Sequence, residues 1–305
     1  MSFKITILGS SGALPAYGRF PSSQLVEIQN RHFLVDCGEG AQMQLMRYQM
    51  NFHRIHHIFI SHLHGDHYLG LMGLLFTMHL QRRTNDLHLY SHRGLDEIIT
   101  TQLRYSRSAP GFTIHFHRLE KDVREIIYED DAVTVETIPL RHKIRCSGFL
   151  FREKTKPRKI DKHTLPANLS FRQLAGLKKG LDVTDDEGNI LYKNEALTHP
   201  PKHSRSYAYC SDTAFYEPII EQIKGIDLLY HEATFTLDEE DKARDTLHST
   251  AHQAATIARH AEVKNLLIGH FSARYRELDP LLEEARTVFE NTQLAIEGET
   301  YRIKE

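Results

Sequence analysis

The chain has 305 residues, of which 40% are apolar and 26% charged, and its formal net charge is -2. This composition is typical of a globular protein with enough residues for a sizeable core, and it excludes a chain that is disordered or strongly basic throughout. Any nucleic-acid site must therefore be a local basic patch.

The cysteines and the apolar runs indicate the cellular compartment of the protein. Cys37, Cys146 and Cys210 are far apart and lack metal-binding spacing, which favours a reducing compartment. No apolar run approaches the length of a membrane span, and the first ten residues lack the layout of a signal peptide. We therefore expect a cytoplasmic protein with no membrane partner.

Short apolar runs alternate with helical patterns along the chain. The runs with period 2 predict strands at 3–8, 24–28, 32–37, 57–61, 87–90, 133–139, 148–152, 206–211, 228–231, 266–269 and 294–296. The patterns with period 3.6 predict helices at 41–49, 69–82, 95–105, 216–224, 251–261 and 281–289. Because helices and strands are interspersed, we expect one α/β unit.

The segment 153–201 interrupts this alternation. It opens with Lys154, Lys156, Arg158 and Lys159, and more bases follow before an acidic turn. A charge run of this kind is most often a solvated surface insertion. A long insertion within a compact domain is also often functional, so both interpretations stay open at this point.

The sharpest local signal is SHLHGDH at 61–67. It places His62, His64, Asp66 and His67 at a predicted strand-to-helix turn, where side chains can converge. Imidazole and carboxylate are ligand types that zinc accepts. Because Asp66 and His67 point differently from the first two histidines, one loop can serve two metals.

Two metals need more ligands than this loop supplies. His142, Asp212 and His270 each follow a strand-like run, the position at which open α/β sheets present their ligand sites. Any one of them alone is more often a surface or capping residue. Together with the loop they complete two ligand sets.

The motifs and their order resemble the ribonuclease Z family of the metallo-β-lactamase fold. The similar segments are LGSSGALP at 8–15, DCGEGAQ at 36–42, PPKHSR at 200–205, HEAT at 231–234, HST at 248–250 and HFSARY at 270–275. The resemblance spans nearly the whole chain. It implies an αββα four-layer sandwich in one domain, 1–305, with 153–201 as an inserted tRNA-binding arm before the Asp212 strand.

The resemblance also implies two zinc ions per subunit. Their implied ligands are His62, His64 and His142 for the first ion, Asp66, His67 and His270 for the second, and Asp212 as a bridge between both. Manganese or iron can substitute for zinc at such sites. A homodimer and a precursor tRNA substrate are implied as well.

Three residues are candidates for the chemistry itself. Asp66 is also, by resemblance, the base that orients the nucleophile. His248 is the candidate donor of a proton to the leaving 3′-oxygen, and Glu232 would hold its ring. Alternatively, His248 only precedes the capping residues of a helix, and Glu232 is a surface carboxylate.

Several bases are candidate RNA contacts. They are Lys202, Arg205 and Arg274 near the similar motifs, and Lys154, Lys156, Arg158 and Lys159 on the arm. Lys202 and Arg274 are alternatively ordinary surface bases. Two positions depart from the family pattern: Ser211 replaces a glycine before the bridging aspartate, and the insertion lacks a Gly-Pro tip, which leaves its conformation unpredicted.

We therefore predict a zinc-dependent endoribonuclease that removes the 3′ trailer from precursor tRNA, leaving a 3′-hydroxyl on the tRNA and a 5′-phosphate on the trailer. One alternative is another hydrolase of the fold that acts on a small ester, lactone or cyclic phosphodiester. Such an enzyme would share the ligands but would not need the basic insertion or the HEAT and HST segments. A binding protein without catalysis is the other alternative, and the complete ligand set argues against it.

Overall fold

The computed structural model describes residues 2–304 and contains two seven-stranded sheets. The strands are β1 (Phe3–Gly9), β2 (Ser23–Ile28), β3 (Arg31–Cys37), β4 (Ile55–Phe59), β5 (Leu87–Ser91), β6 (Ile114–Arg118), β7 (Ile126–Glu129), β8 (Val133–Pro139), β9 (Ser147–Glu153), β10 (Lys159–Ile160), β11 (Val183–Thr184), β12 (Ile190–Tyr192), β13 (Thr198–His199), β14 (Ser206–Cys210), β15 (Leu228–Glu232), β16 (Leu266–Gly269), β17 (Thr292–Leu294) and β18 (Thr300–Arg302). The α-helices are α1 (Ala41–Arg47), α2 (Gly65–Tyr68), α3 (Leu71–Leu80), α4 (Leu95–Tyr105), α5 (Phe171–Lys178), α6 (Asn194–Leu197), α7 (Glu240–Thr246), α8 (Ala251–His260) and α9 (Asp279–Val288). None of these described helices has the length and apolarity that a bilayer crossing requires.

The strand order places the parallel strands of each sheet side by side. The first sheet runs β18-β1-β2-β3-β4-β5-β6, and the second runs β17-β16-β15-β14-β9-β8-β7. Strands β3 to β6 are parallel neighbours in the first sheet. Strands β14 to β17 are parallel neighbours in the second. The loops that follow parallel strands therefore gather at one edge of each sheet.

Three apolar clusters divide the molecule into four layers. Between the sheets, Phe33 and Phe59 of the first sheet pack with Phe149 and Phe151 of the second. A second cluster joins the outer face of the first sheet to α1, α3 and α4. A third joins the outer face of the second sheet to α8 and α9, largely through small alanines. The predicted αββα sandwich is confirmed.

Two of the predicted helices differ from the structure. The helix predicted at 216–224 is wrong, because the segment forms only a short 3-10 turn, Glu217–Ile219, with Pro218 in its first turn. Its apolar spacing marked buried residues rather than a helix. The helix predicted at 69–82 is present as α3 but begins after Gly70, where an added Cβ would lie 2.0 Å from the carbonyl oxygen of Gly38. Helix α2 ends before this point and α3 begins after it.

Short strands at the sheet edges were not predicted. Strands β6, β7 and β18 carry histidine, charged or tyrosine residues, which mask the period-2 apolar signal. The strand predicted at 294–296 lies at Thr292–Leu294 instead. These strands add little to the core, so their apolar signal is weak.

The insertion 153–201 forms a small unit with its own core. It leaves the second sheet at the end of β9 and returns at the start of β14. Leu177, Val183 and Leu197 are buried together inside it, and a capping box at Ser170 and Gln173 begins α5. Since β9 has seven residues, the base of the insertion lies about 20 Å from the opposite strand end, at about 3.3 Å per residue.

Arg205 joins the base of the insertion to the core. It is 2% exposed, and its Nε and Nη2 donate to the carboxylate of Glu153 at 2.9 and 2.7 Å. Its Nη1 donates to the carbonyl of Ile303 at 3.0 Å. Burial raises the pKa of Glu153, but the hydrogen bonds from Arg205 and Lys156 outweigh it and hold the pKa at about 2. The pair therefore stabilises the fold above the ordinary glutamate pKa of 4.5, and this stabilisation is lost as the pH falls towards 2.

Arg205→Ala should lower the free energy of unfolding by about 3–5 kcal/mol, because it removes the principal partner of a buried carboxylate. Arg302→Ala, which removes an exposed base from β18, should change it by less than about 0.5 kcal/mol. Urea unfolding at neutral pH, followed by circular dichroism, measures both values. Equal stability of the two variants would show that the buried pair is dispensable.

Candidate metal centre

The seven predicted ligands lie together at the edge where the parallel strands end. They are His62, His64, Asp66 and His67 between β4 and the end of α2, His142 after β8, Asp212 after β14, and His270 after β16. They form two groups that share Asp212, and within each group the potential ligand atoms lie within 4.8 Å of one another. The sharing places Asp212 where the predicted bridge requires it.

Four of these histidines are held from outside the cluster through Nδ1. The contacts are His62 to Ser61 Oγ (3.1 Å), His67 to Asp36 Oδ2 (2.7 Å), His142 to the Leu247 carbonyl (3.0 Å) and His270 to Thr234 Oγ1 (2.9 Å). Nε2 of each ring is left to face the cluster. Metal-binding histidines are usually oriented in this way.

The donor set fits divalent metal ions. Nε2 of His67 and Nε2 of His270 are buried, and neither makes a hydrogen bond with any residue that the structure describes. Both nevertheless lie close to Asp212 Oδ1, at 3.2 and 2.9 Å. A buried nitrogen without a hydrogen bond is costly. Lone pairs of nitrogen and oxygen that converge on one point suit a cation placed between them.

The carboxylates favour positive charge within the cluster. Burial lowers the pKa of His67, but Asp212, Asp66 and Asp36 outweigh it and hold that pKa well above its ordinary value. Burial likewise lowers the pKa of His270, yet Asp212 and Asp66 raise it to about 10. The protein therefore stabilises a positive charge between these side chains, which is where a metal ion would lie.

Strained backbone positions three residues of the site. Asp36, Asp212 and His270 have φ values of 54°, 47° and 59°, in the left-handed region that non-glycine residues rarely adopt. Such strain persists only where the surrounding structure imposes it, and it is concentrated at functional sites. Its occurrence at Asp212 and His270 agrees with a functional role for this edge.

The loop at 8–15 covers one side of the cluster. The backbone N–H of Ala13 donates to Asp66 Oδ2 at 2.8 Å. A Cβ on Gly12 would lie 2.8 Å from Cε1 of His270, so only glycine fits there without displacement. The predicted first loop therefore contacts residues of the second ligand group.

Asp36 is a part of the site that the sequence reasoning missed. It is fully buried and accepts hydrogen bonds from the Ser61 N–H (2.7 Å), Ser61 Oγ (2.8 Å), His67 Nδ1 (2.7 Å) and the Tyr209 hydroxyl (2.7 Å). In the sequence, Asp36 is notable only as the first residue of the segment DCGEGAQ at 36–42. Its position at the end of an apolar strand, before a glycine turn, was the available signal.

Glu232 is fully buried, so the alternative that it is a surface carboxylate is wrong. Its Oε1 accepts from His248 Nδ1 at 2.9 Å and from the Thr213 N–H at 2.6 Å. Its Oε2 accepts from Thr234 Oγ1 at 2.5 Å and from the Ser249 N–H at 3.1 Å. Four donors thus hold this carboxylate in one orientation.

His248 lies at the rim of the ligand cluster. Its ring centroid is 5.1 Å from that of His142 and 5.4 Å from that of His270. Thr250 is the residue that caps α8, which leaves the His248 side chain for Glu232. Burial lowers the pKa of His248, but Glu232 outweighs it and raises that pKa above its ordinary value. The ring is therefore suited to carry a proton.

The predicted RNA contacts outside the arm lie in three different environments. Arg274 pairs with Glu239 at 2.5 Å and lies over the ring of Phe235. Lys202 is exposed but precedes β14, at the end of that strand opposite to Asp212. Arg205 is buried in its pair with Glu153, so its side chain is not accessible to RNA in this structure.

The predicted contacts on the arm lie near its base. Lys154 pairs with Glu129 at 2.6 Å. Lys156 pairs with Glu153 at 3.0 Å. The remaining two are Arg158, whose Nε donates to Thr198 Oγ1 at 2.8 Å, and Lys159, which is exposed on β10.

Comparison with known proteins identifies relatives over the whole chain. A ribonuclease Z of Cytophaga hutchinsonii is 50% identical over 305 residues, covering 100% of this chain and 97% of the relative. The crystal structure of human tRNase Z, short form, has a TM-score of 0.73 at 26% identity and covers 99% of this chain and 100% of that chain. The metallo-β-lactamase fold protein YhfI from Bacillus subtilis has a TM-score of 0.70 at 19% identity, covering 99% of this chain and 100% of that one, which supports the fold alone.

A family model for "Anti-Pycsar protein Apyc1" matches residues 3–156. The matched half contains the 61–67 loop and His142, but Asp212, Glu232, His248 and His270 lie beyond it. The relatives that match the whole chain contribute the second half. The chain thus belongs to the family of the Apyc1 model over its first half and, over its whole length, to the ribonuclease Z family.

Proposed function

We propose that the protein is a zinc-dependent endoribonuclease that removes the 3′ trailer from precursor tRNA. The observation that carries the proposal is the buried Glu232–His248 pair at the rim of a cluster that can hold two metal ions. The relatives named ribonuclease Z and tRNase Z support tRNA as the substrate. The products would be a tRNA with a 3′-hydroxyl and a trailer with a 5′-phosphate.

Two zinc ions held by the seven ligands would supply a nucleophilic water at neutral pH and neutralise charge on the phosphoryl oxygens. Asp66, oriented by the Ala13 N–H, would align the attacking water and accept its proton. His248 would donate a proton to the leaving 3′-oxygen of the tRNA. Because Glu232 holds Nδ1 of His248, Nε2 is the nitrogen that donates.

The insertion would act as an arm for the tRNA body. Its base lies about 20 Å from the cluster of its own chain, by the rise of about 3.3 Å per strand residue. Contacts at that distance position a folded RNA without taking part in cleavage. We also propose a homodimer, in which the arm of one subunit serves the cluster of the other.

Cleavage of a precursor tRNA, with the ends of both products mapped, tests the substrate and the reaction together. The expected cut lies at the junction of tRNA and trailer, with a hydroxyl on the tRNA 3′ end. A protein that hydrolyses small esters or cyclic phosphodiesters but leaves precursor tRNA intact would overturn the proposal.

Metal analysis should find about two zinc ions per chain, because the ligands complete two sites that share one carboxylate. Asp212→Ala should lower occupancy at both sites, whereas His142→Ala should affect mainly the first. Chelator competition followed by elemental analysis measures the difference. Two tightly bound ions in Asp212→Ala would exclude the bridging role of that carboxylate.

His248→Ala should retain metal and RNA binding but slow cleavage of precursor tRNA by about 10²–10⁴-fold, since it removes a proton donor. The raised pKa of His248 gives the sign of the pH effect. Activity that needs the protonated ring falls as pH rises through that pKa, and the variant should lose this limb of the rate profile.

A nitrophenyl phosphodiester provides the control for His248→Ala, because its leaving group needs no proton. The variant should hydrolyse this ester at a rate much closer to that of the wild type. Equal losses on precursor tRNA and on the ester would count against the donor role of His248.

Replacing Arg172 and Lys178 of α5 and Lys179 at its C-terminal end, which are all exposed, with alanine should weaken binding of precursor tRNA. The salt slope should fall by roughly 0.7–0.9 for each lost phosphate contact. Asp186→Ala with Glu187→Ala, on the acidic turn of the same arm, is the matched control and should not weaken binding. Both variants should still hydrolyse the nitrophenyl ester. Normal tRNA binding by the variant that lacks the three bases would show that the arm does not bind tRNA through them.

A further inference from the structure

The loop between β8 and β9 carries three bases around a candidate metal ligand. Arg141, Lys143 and Arg145 flank His142, and all three are exposed. None of their side chains has an ion pair or hydrogen bond with any other residue in 2–304. They line a cleft of about 650 Å³ whose wall includes His142 itself.

This cleft has an excess of positive charge. Lys121 also lines it, but Lys121 lies 3.4 Å from Asp122, so the charges of that pair largely cancel. In the described part of the chain, the three loop bases have no such partner. Cations that lack a carboxylate and stand in an open cleft are available to bind an external anion.

Two of the predicted RNA contacts differ from the loop bases, because each is paired with a carboxylate. Arg274 is paired with Glu239, and Lys154 is paired with Glu129. An RNA phosphate would have to displace a carboxylate at these positions. At Lys143 and Arg145 an RNA phosphate would displace only water and counterions. Release of counterions favours nucleic-acid binding.

We propose that Arg141, Lys143 and Arg145 bind the phosphates of the single-stranded 3′ trailer beside the scissile bond, an assignment that rests on the proposed function. A positively charged groove can follow the backbone of a single strand. Trailer sequences need not be read, and phosphate contacts position a strand without reading its bases.

The position of His248 indicates which side of the scissile bond the cleft serves. His248 lines a second cleft, together with Leu247 and Arg244, and the cleft around Lys143 and Arg145 does not include it. The proposed proton transfer places the 3′-oxygen of the tRNA at His248. The trailer, on the other side of the phosphate, would then pass along Lys143 and Arg145, with Arg141 at the boundary because it lines both clefts.

The test compares two double variants of the metal-loaded protein. The loop variant combines Lys143→Ala with Arg145→Ala, and the control pair combines Arg259→Ala with Arg302→Ala. The control pair removes the same charge from exposed positions at the end of α8 and on β18. The substrates are one precursor tRNA with a trailer of a single nucleotide and the same precursor with a trailer of about ten nucleotides. Metal content and melting temperature should match those of the wild type in both variants.

The wild type and the control pair should cleave the long-trailer substrate with the higher kcat/KM. The loop variant should lose about fivefold on the long trailer and little on the short one. Its salt slope should fall by about 1.4, at about 0.7 for each lost single-strand phosphate contact. An unchanged preference for the long trailer would overturn the assignment, and equal losses on both substrates would overturn it by placing the contacts on the tRNA body.

Binding of a labelled single-stranded RNA of the trailer sequence separates this inference from the proposed function. Fluorescence anisotropy should show weaker binding by the loop variant and unchanged binding by the control pair. If the wild type failed to cut any precursor tRNA, the proposed function would be wrong. This binding measurement would then decide alone whether the cleft holds a single strand, and equal binding by both variants would exclude it.

Discussion

The carboxylate of Asp36 joins the two sheets at the edge where the candidate metal ligands meet. It follows an apolar run in β3 of the first sheet, and it accepts the hydroxyl of Tyr209 from β14 of the second. The same carboxylate fixes Ser61 and orients His67. Because ligand atoms from both sheets must converge on the same points, an error in the spacing between the sheets would separate the ligands. This buried contact makes the geometry of the cluster depend on how the sheets are packed.

The metal ligands and the proposed tRNA-binding arm lie at opposite ends of the strands. Asp212 follows the last residue of β14, whereas Arg205 and the base of the insertion precede its first residue. All five residues of β14 between them are buried, so a change in the arm need not disturb the ligands. At the end of β14 opposite to Asp212, the buried pair of Arg205 with Glu153 fixes where the arm leaves the sheet.

Local patterns were predicted well from the sequence, and long-range pairing was not. The histidines at 61–67 are neighbours in the chain, so their convergence follows from one turn. The sequence shows directly that Lys154 and Arg205 are charged, but it does not show their carboxylate partners. The pairing of Lys154 with Glu129, for example, depends on how strands β7 and β9 are placed. The same holds for Lys143 and Arg145, because only the fold shows that they form no ion pair with a carboxylate among residues 2–304.

The distribution of histidines shows why a carboxylate matters more than their number. His57, His88, His115 and His117 stack across β4, β5 and β6, with ring centroids 4.8–5.1 Å apart between neighbours. Burial, followed by repulsion from His88, lowers the pKa of His57 to about 3. Within residues 2–304 this stack is not among the groups whose ligand atoms could hold an ion. In the metal cluster, Asp212 lies within 3.7 Å of a ring nitrogen of four histidines. A carboxylate at the centre of the group therefore distinguishes a potential metal centre from a stack of histidine rings.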